Sequence, residues 1–243
     1  MTAEPLILAV ETATLGGSIS LNSGDKVVAS LQGDDSVSHS NTLLRDIETV
    51  LKDASSSLNA VDVFAVAIGP GSFTGLRIGI ATVKGLAFTL DRPCVGIPTL
   101  EAIAHSAGIC DRTVAVLPAG RGEVFVQMFE VSADNITPLD TATHISPATM
   151  LQEYSSFDSI CWCGDGARVH RDEIRRCAEQ NAKQLSTGAD YSGWRVMSHT
   201  PNLAQHVAAL ASRRIAKHEL QSAQHIRALY VRPSDAELKT QGK

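Results

Sequence analysis

Val61-Asp62-Val63-Phe64-Ala65-Val66-Ala67-Ile68-Gly69-Pro70-Gly71-Ser72-Phe73-Thr74-Gly75-Leu76-Arg77-Ile78-Gly79 joins an apolar run to a glycine-rich turn and then to a helical pattern. An apolar run of this length bounded by Gly and Pro reads as a buried strand, and the sequence after Thr74 reads as a helix. The intervening residues therefore form a strand-to-helix turn. Gly69, Gly71 and Gly75 allow positive φ and close backbone approach, and Ser72 or Thr74 is placed to cap the first free amides of the helix. Such a turn can hold an anion. It departs from both common phosphate fingerprints: Gly75 is followed by Leu76 and Arg77 rather than Lys and Ser/Thr, and the sixth position counted from Gly69 is Thr74 rather than Gly. Spacing alone favours a structural turn.

Outward from this turn, Leu76, Ile80, Val83, Ala87 and Leu90 form one apolar stripe of the helix, and Ile78, Ala81, Gly85 and Phe88 form a second. A helix apolar on nearly all sides needs cover on more than one side, by its own sheet and by either the preceding helix or another chain. Before the turn, Leu6 to Thr12, Ser18 to Leu21 and Lys26 to Leu31 read as a three-strand meander with Gly-containing turns. Leu43, Leu44, Ile47, Val50 and Leu51 mark one face of a helix capped by Ser38 or Ser40. With strand Cys94 to Ile97 and helix Leu100 to Ala107, the order is βββαβαβα.

The second half repeats this order without repeating its residues. Val114 to Leu117 and Val124 to Val131 form a hairpin, and a third strand lies near Ile136 to Thr143. A helix from Pro147, a strand Ser159 to Cys163 and a helix reaching about Gln180 follow. Thr200-Pro201 opens a last helix marked by Leu203, Val207, Leu210 and Arg214. The predicted division is two α/β lobes, residues 1–108 and 109–243.

Composition excludes several classes. Lys and Arg number 21 against 26 Asp and Glu in 243 residues, a net charge of -5, so no surface is basic enough to hold nucleic acid unaided. No apolar run is long enough to cross a bilayer, since Leu76 to Leu90 is interrupted by Arg77 and Lys84, and Glu4 stands where a signal peptide has basic residues. The expected location is the cytoplasm. Five cysteines without a Cys-x-x-Cys pair fit reduced thiols, with Cys161 and Cys163 alternating in a short apolar strand.

Ile7-Leu8-Ala9-Val10-Glu11-Thr12-Ala13-Thr14, His39-Ser40 with Leu43-Leu44, Gly69 to Gly79, Lys84-Gly85-Leu86-Ala87-Phe88, Gly122-Glu123-Val124-Phe125, Gly164-Asp165-Gly166-Ala167 and Leu229-Tyr230-Val231-Arg232-Pro233 together resemble the bacterial TsaB (YeaZ) family. The resemblance runs from end to end, and Gly69 to Gly79 is its most specific part. It implies the fold of actin, Hsp70 chaperones and sugar kinases (ASKHA), two ribonuclease-H-like lobes of mixed sheet and helices. It also implies a non-catalytic partner of TsaD, the sister subunit that transfers threonylcarbamoyl to N6 of adenosine 37 in tRNAs reading ANN codons. TsaE, an ATPase, joins the pair, and TsaC supplies threonylcarbamoyl-adenylate.

Pairing with TsaD, or with a second copy when alone, is expected through the first-lobe helices at Leu43, Leu44, Ile47, Leu51, Gly75, Ile78, Gly79, Ala81, Thr82, Gly85 and Leu86. Glu11, Thr12 and Thr14, with Gly69, Gly71, Ser72, Thr74 and Gly75, are the candidate nucleotide or phosphate loops. No intrinsic cofactor or metal is expected. ATP or ADP is expected only at the interface with the partner, and tRNA only indirectly through the complex. The chain departs from the family pattern twice, with Glu11 where Asp is common and Pro118-Ala119-Gly120 where Asp-Ala-Arg is common.

The rival reading is an enzyme, either an ATP-dependent transferase or kinase using those loops, or a peptidase, the class with which the family was once grouped. TsaD holds a metal with two His four apart, and the corresponding positions here are Thr99 and Ile103, neither an imidazole. None of the eight His are four apart. Ser72 lacks the Gly-x-Ser-x-Gly setting of a nucleophile elbow, and Ser40 beside His39 sits where a helix cap belongs.

Overall fold

The structure is a computed structural model that describes residues 4–34, 39–186, 193–197 and 202–231, with backbone only for 39–41. In chain order the elements are β1 (Leu6–Glu11), β2 (Ser18–Ser23), β3 (Lys26–Gln32), α1 (His39–Asp53), β4 (Val63–Gly69), α2 (Phe73–Thr89), β5 (Cys94–Pro98), α3 (Thr99–Ser106), β6 (Cys110–Gly120), β7 (Glu123–Val131), β8 (Ile136–Pro138), β9 (Thr143–Ile145), α4 (Pro147–Tyr154), β10 (Ile160–Cys163), α5 (Asp165–Val169), α6 (Arg171–Gln180), β11 (Trp194–Val196) and α7 (Leu203–Ala216). They divide into two compact units, residues 1–102 with 202–230, and 103–201 with 231–243.

The first unit is built on a five-stranded sheet in the order β3-β2-β1-β4-β5. β1 pairs antiparallel with β2 and parallel with β4, which is parallel to β5. Ile7 to Val10 and Phe64 to Ala67 have no exposed surface, so these central strands are covered on both faces. Thr12, just past β1, abuts α2. The preceding residue, Glu11, points the opposite way, toward Ser18 and the start of α7.

The second unit repeats the topology with β6 central: β7 antiparallel on one side, β10 and then β11 parallel on the other, and β8 and β9 both on β7. Its core holds Trp162 and Trp194, ring centroids 5.2 Å apart, with Tyr154 edge-on to Trp162 at 5.9 Å. The Tyr154 hydroxyl donates to Asp140 Oδ2 at 2.7 Å, and burial, reinforced by that carboxylate, pushes the phenol far above its ordinary range.

The predicted order is present, with three differences. The strand expected near Ile136 to Thr143 is two short strands, and the helix expected to reach Gln180 breaks at His170 into α5 and α6. The third concerns the division after residue 108. Residues 202–230 return to the first unit, because α7 lies across β1, β2 and β4 with Leu203, Val207 and Leu210 buried. Ser18 Oγ of β2 accepts the Ala204 amide at 2.9 Å, and Arg214 bonds Glu101 at 2.9 Å, so both ends of α7 are tied to this unit. The expected caps Ser38 and Ser40 (its side chain), the start Thr200-Pro201, and Arg232-Pro233 lie outside the described residues.

Candidate docking surface on the first unit

β4 ends in Gly69, whose φ of 118° lies in the region that favours glycine. Ser72 is the N-cap of α2, its Oγ accepting the Gly75 amide at 3.2 Å. The turn is pressed onto the loop that follows β1: Ser72 N donates to Ala13 O at 2.8 Å, and Thr12 Oγ1 donates to Gly75 O at 2.8 Å. A Cβ at Gly71 would meet Ala13 Cβ at 2.7 Å, and one at Gly75 or Gly79 would overlap Thr12 O or Thr12 Oγ1. These glycines exist for close approach within the chain. The two candidate phosphate loops face one another, and four of their amides are engaged: Thr14 N by Glu11, Ser72 N by Ala13, Gly75 N by Ser72 Oγ and Gly69 N by Thr99 Oγ1 at 3.1 Å.

Glu11 is the centre of the facing loop. Buried to 1 % exposure, it accepts from Thr14 N at 2.7 Å, Thr14 Oγ1 at 2.8 Å and Ser18 Oγ at 3.4 Å. Removing its carboxylate strands these donors, each costing ~1–3 kcal/mol where water does not reach. Glu11→Ala is therefore expected to lose about 2 kcal/mol of stability, read as a fall in the urea midpoint at unchanged slope; an unchanged midpoint would contradict this role.

The predicted contact residues separate into three groups. Leu43, Ile47 and Leu51 of α1 and Gly75 and Gly79 of α2 are buried within the unit, so they support the helices rather than present them. Ile78, Thr82 and Leu86 are half-buried. Leu44, Ala81 and Gly85 are exposed, Leu44 to 65 %. Phe88, outside the predicted contact set although part of the second stripe, is 74 % exposed. The first stripe packs inward, with Leu76, Ile80, Val83 and Ala87 buried. The outcome is an apolar outer face of Ile78, Ala81, Gly85 and Phe88 on α2, and Leu44 is exposed on α1, the helix that packs against α2. No atom lies within 4 Å of where a Gly85 side chain would begin.

The C-terminal stretch supplies further cover for α2. Leu229 N donates to Ile68 O at 2.7 Å, Lys84 Nζ reaches Ile226 O at 3.3 Å, and Tyr230 lies 5.2 Å from the Phe73 ring, which carries the Arg77 guanidinium at 3.7 Å. Thr99 and Ile103 are buried, and among the described residues no three His, Cys, Asp or Glu are grouped to hold a metal ion. No helix among them is long and apolar enough to cross a membrane.

The family model described as TsaD, tRNA N6-adenosine threonylcarbamoyltransferase, matches residues 34–233. A Bacillus subtilis protein named tRNA threonylcarbamoyladenosine biosynthesis protein TsaB is 30% identical over 170 residues, 69% of this chain and 74% of that relative. The chain belongs to the TsaB (YeaZ) family. The Escherichia coli protein of the same name is 34% identical over 122 residues, 49% of this chain and about half, 52%, of the relative. A solved structure described as YeaZ from Pseudomonas aeruginosa superposes with a TM-score of 0.74 at 24% identity, covering 93% of this chain and 99% of that one. A Thermus thermophilus ROK hexokinase superposes at 0.51 with 9% identity, over 87% of this chain and 99% of that one, in keeping with the ASKHA fold.

Proposed function

We propose that this chain is a non-catalytic subunit in tRNA threonylcarbamoyladenosine biosynthesis. It binds the catalytic sister subunit TsaD and activates it for threonylcarbamoyl transfer, with TsaE joining the pair, in the cytoplasm. The observation that carries the reading is the apolar outer face of α2, together with the exposed Leu44 of α1, on a member of the TsaB family. Fully burying a side chain such as Phe88 or Leu44 contributes about 1.5–3 kcal/mol, part of which offsets the entropy lost on association. When the sister subunit is absent, the same face serves a second copy. Glu11 and the glycine turn hold the shape of α2 in this reading. ATP or ADP binds at the joint surface with the partner; within the lone chain the amides of Thr14, Gly69, Ser72 and Gly75 already have acceptors, which supports this placement.

Reconstitution tests this. Threonylcarbamoyl incorporation into tRNA is measured with the sister subunit, TsaE and supplied threonylcarbamoyl-adenylate, with and without this chain, and with this chain replacing the sister subunit. The expected result is activity only when both subunits are present. Turnover by this chain without the sister subunit, or full activity in its absence, would overturn the assignment.

A further inference from the structure

Beside its apolar outer face, α2 carries a second surface stripe. Phe73, Arg77 and Lys84 fall on one side of the helix by their spacing, and the segment 226–230 runs along that side. The Arg77 guanidinium sits over the Phe73 ring at 3.7 Å, and the Tyr230 ring adjoins Phe73 at 5.2 Å. Further along, Lys84 Nζ donates to Ile226 O at 3.3 Å. Arg227 turns its guanidinium onto the same carbonyl at 3.1 Å and onto Gln224 O. Two aromatic rings and three cations therefore share a strip that follows α2 for about 16 Å, at about 1.5 Å per residue.

The bonds these groups make leave their binding capacity open. A ring or a carbonyl oxygen satisfies an N–H without cancelling the charge, and among the described residues no carboxylate is paired with Arg77, Lys84 or Arg227. Arg77 gives Phe73 the face of its guanidinium, so its N–H groups point outward in the plane, the geometry that takes a phosphate bidentately. Arg77 and Arg227 are exposed, and Lys84 is half-buried. Tyr230, 47% exposed and tilted 38° to Phe73, offers ring surface to a further planar group.

Planar groups joined by regularly spaced negative charges are the chemistry of a single nucleic-acid strand, whose bases are free to stack on aromatic side chains. In a duplex the bases are enclosed and only the phosphates remain. An acidic peptide would use the cations and leave the rings idle. We infer that Phe73, Arg77, Lys84, Arg227 and Tyr230 form a contact for a single-stranded stretch of the substrate RNA, with phosphates on the cations and a base on the Tyr230 ring. The inference rests on the reading above in one respect, that the RNA is the tRNA on which the complex acts. The strip lies beside the outer face of α2 rather than on it, so RNA is held while the sister subunit is docked. It is an added contact within the complex, in keeping with a chain whose net charge is -5.

The test is fluorescence anisotropy with labelled oligoadenylate of about 12 nucleotides, free or annealed to oligouridylate, on the full chain alone and on its complex with the sister subunit. For the lone chain and the free strand, log K should fall against log salt with a slope of about -2, three phosphates at about 0.7 each. Arg77→Gln and Lys84→Gln should each bring that slope about 0.7 nearer zero. Tyr230→Ala should weaken binding of the single strand about 10-fold with the slope unchanged, and should not alter binding of the duplex. The complex should show the same order of effects. Urea midpoints identify any variant that loses stability, and Lys84→Gln, which leaves the Phe73 stack untouched, then carries the test.

A slope near zero, variants that bind single-stranded RNA like the unsubstituted chain, a duplex equally sensitive to Tyr230→Ala, or full competition by a polyglutamate peptide would each overturn the strip as an RNA contact. Calorimetry against the sister subunit separates this from docking. Arg77→Gln is expected to dock normally, and Ala81→Glu, the docking variant, to keep the lone chain's affinity for oligoadenylate. Loss of RNA binding by the lone Ala81→Glu chain would overturn the separation of the two surfaces, whereas normal docking by Ala81→Glu would count against the docking face and leave the RNA result standing.

Discussion

Gly75→Ala is expected to cost the protein about 3 kcal/mol or more, whereas Gly85→Ala in the same helix is expected to raise stability by about 0.5–1 kcal/mol. The substitution is identical and the surroundings differ. At Gly75 the new methyl would enter the contact radius of the Thr12 carbonyl, a backbone atom that cannot rotate away. Relief requires α2 to lift from the loop after β1, which breaks the Thr12 Oγ1 to Gly75 O bond at 2.8 Å and the Ser72 N to Ala13 O bond at 2.8 Å. Overpacking costs ~1–3 kcal/mol, and each buried polar group left unsatisfied costs ~1–3 kcal/mol more. At Gly85 nothing lies within 4 Å, so only the backbone entropy of the unfolded chain changes, in favour of alanine. Urea unfolding followed by far-ultraviolet circular dichroism measures both. Since both tryptophans belong to the second unit, their emission shows how far the Gly75→Ala loss stays within the first. Midpoints shifting in the same direction for the two variants would refute the proposed division of labour between the glycines.

How much of this was legible in the sequence depended on whether a local pattern or a distant partner fixed each element. The run Val61 to Ile68, the glycine turn and the two stripes of α2 are local signals, and the strand, the Ser72 cap and the inward stripe all appear where the pattern places them. Repetition of element order carried over to the second unit for the same reason. The role of Gly75 and Gly79 was not legible, because their contact is with Thr12, more than sixty residues away in sequence, and two glycines four apart on a helix read the same whether they face a neighbouring loop or another chain. Leu43, Ile47 and Leu51 were similarly ambiguous: periodicity finds an apolar face and is silent about what covers it. The placement of α7 depended on Ser18 and Glu101, which no local pattern connects to residues 203–216. Phe88 could have been added to the contact set from the 81, 85, 88 spacing, the outer face continued by one more turn.

Ala81→Glu is expected to leave the monomer's stability within about 0.5 kcal/mol and to weaken association with the sister subunit by at least ~100-fold, with a matching loss of tRNA modification. Ala81 is exposed in the lone chain, so its carboxylate costs nothing there. In a closed apolar contact the same group is buried without a partner, a penalty of several kcal/mol, and about 2.7 kcal/mol already corresponds to ~100-fold in affinity. Phe88→Ala removes apolar contact without adding charge, and a loss of about 10- to 100-fold is expected, from the roughly 1.5–3 kcal/mol of burial forgone. Gly79→Arg is the wrong probe for this question: Gly79 faces Thr12, so the variant fails by unfolding and says nothing about docking. Lys26→Glu on β3, exposed in the same unit but outside the apolar face, is the control expected to bind normally. Titration calorimetry against the sister subunit, beside urea unfolding of each variant, separates the effects. If Ala81→Glu and Phe88→Ala bind like the unsubstituted chain while remaining folded, the outer face of α2 is not where the subunits meet, and the role assigned to that face fails with it.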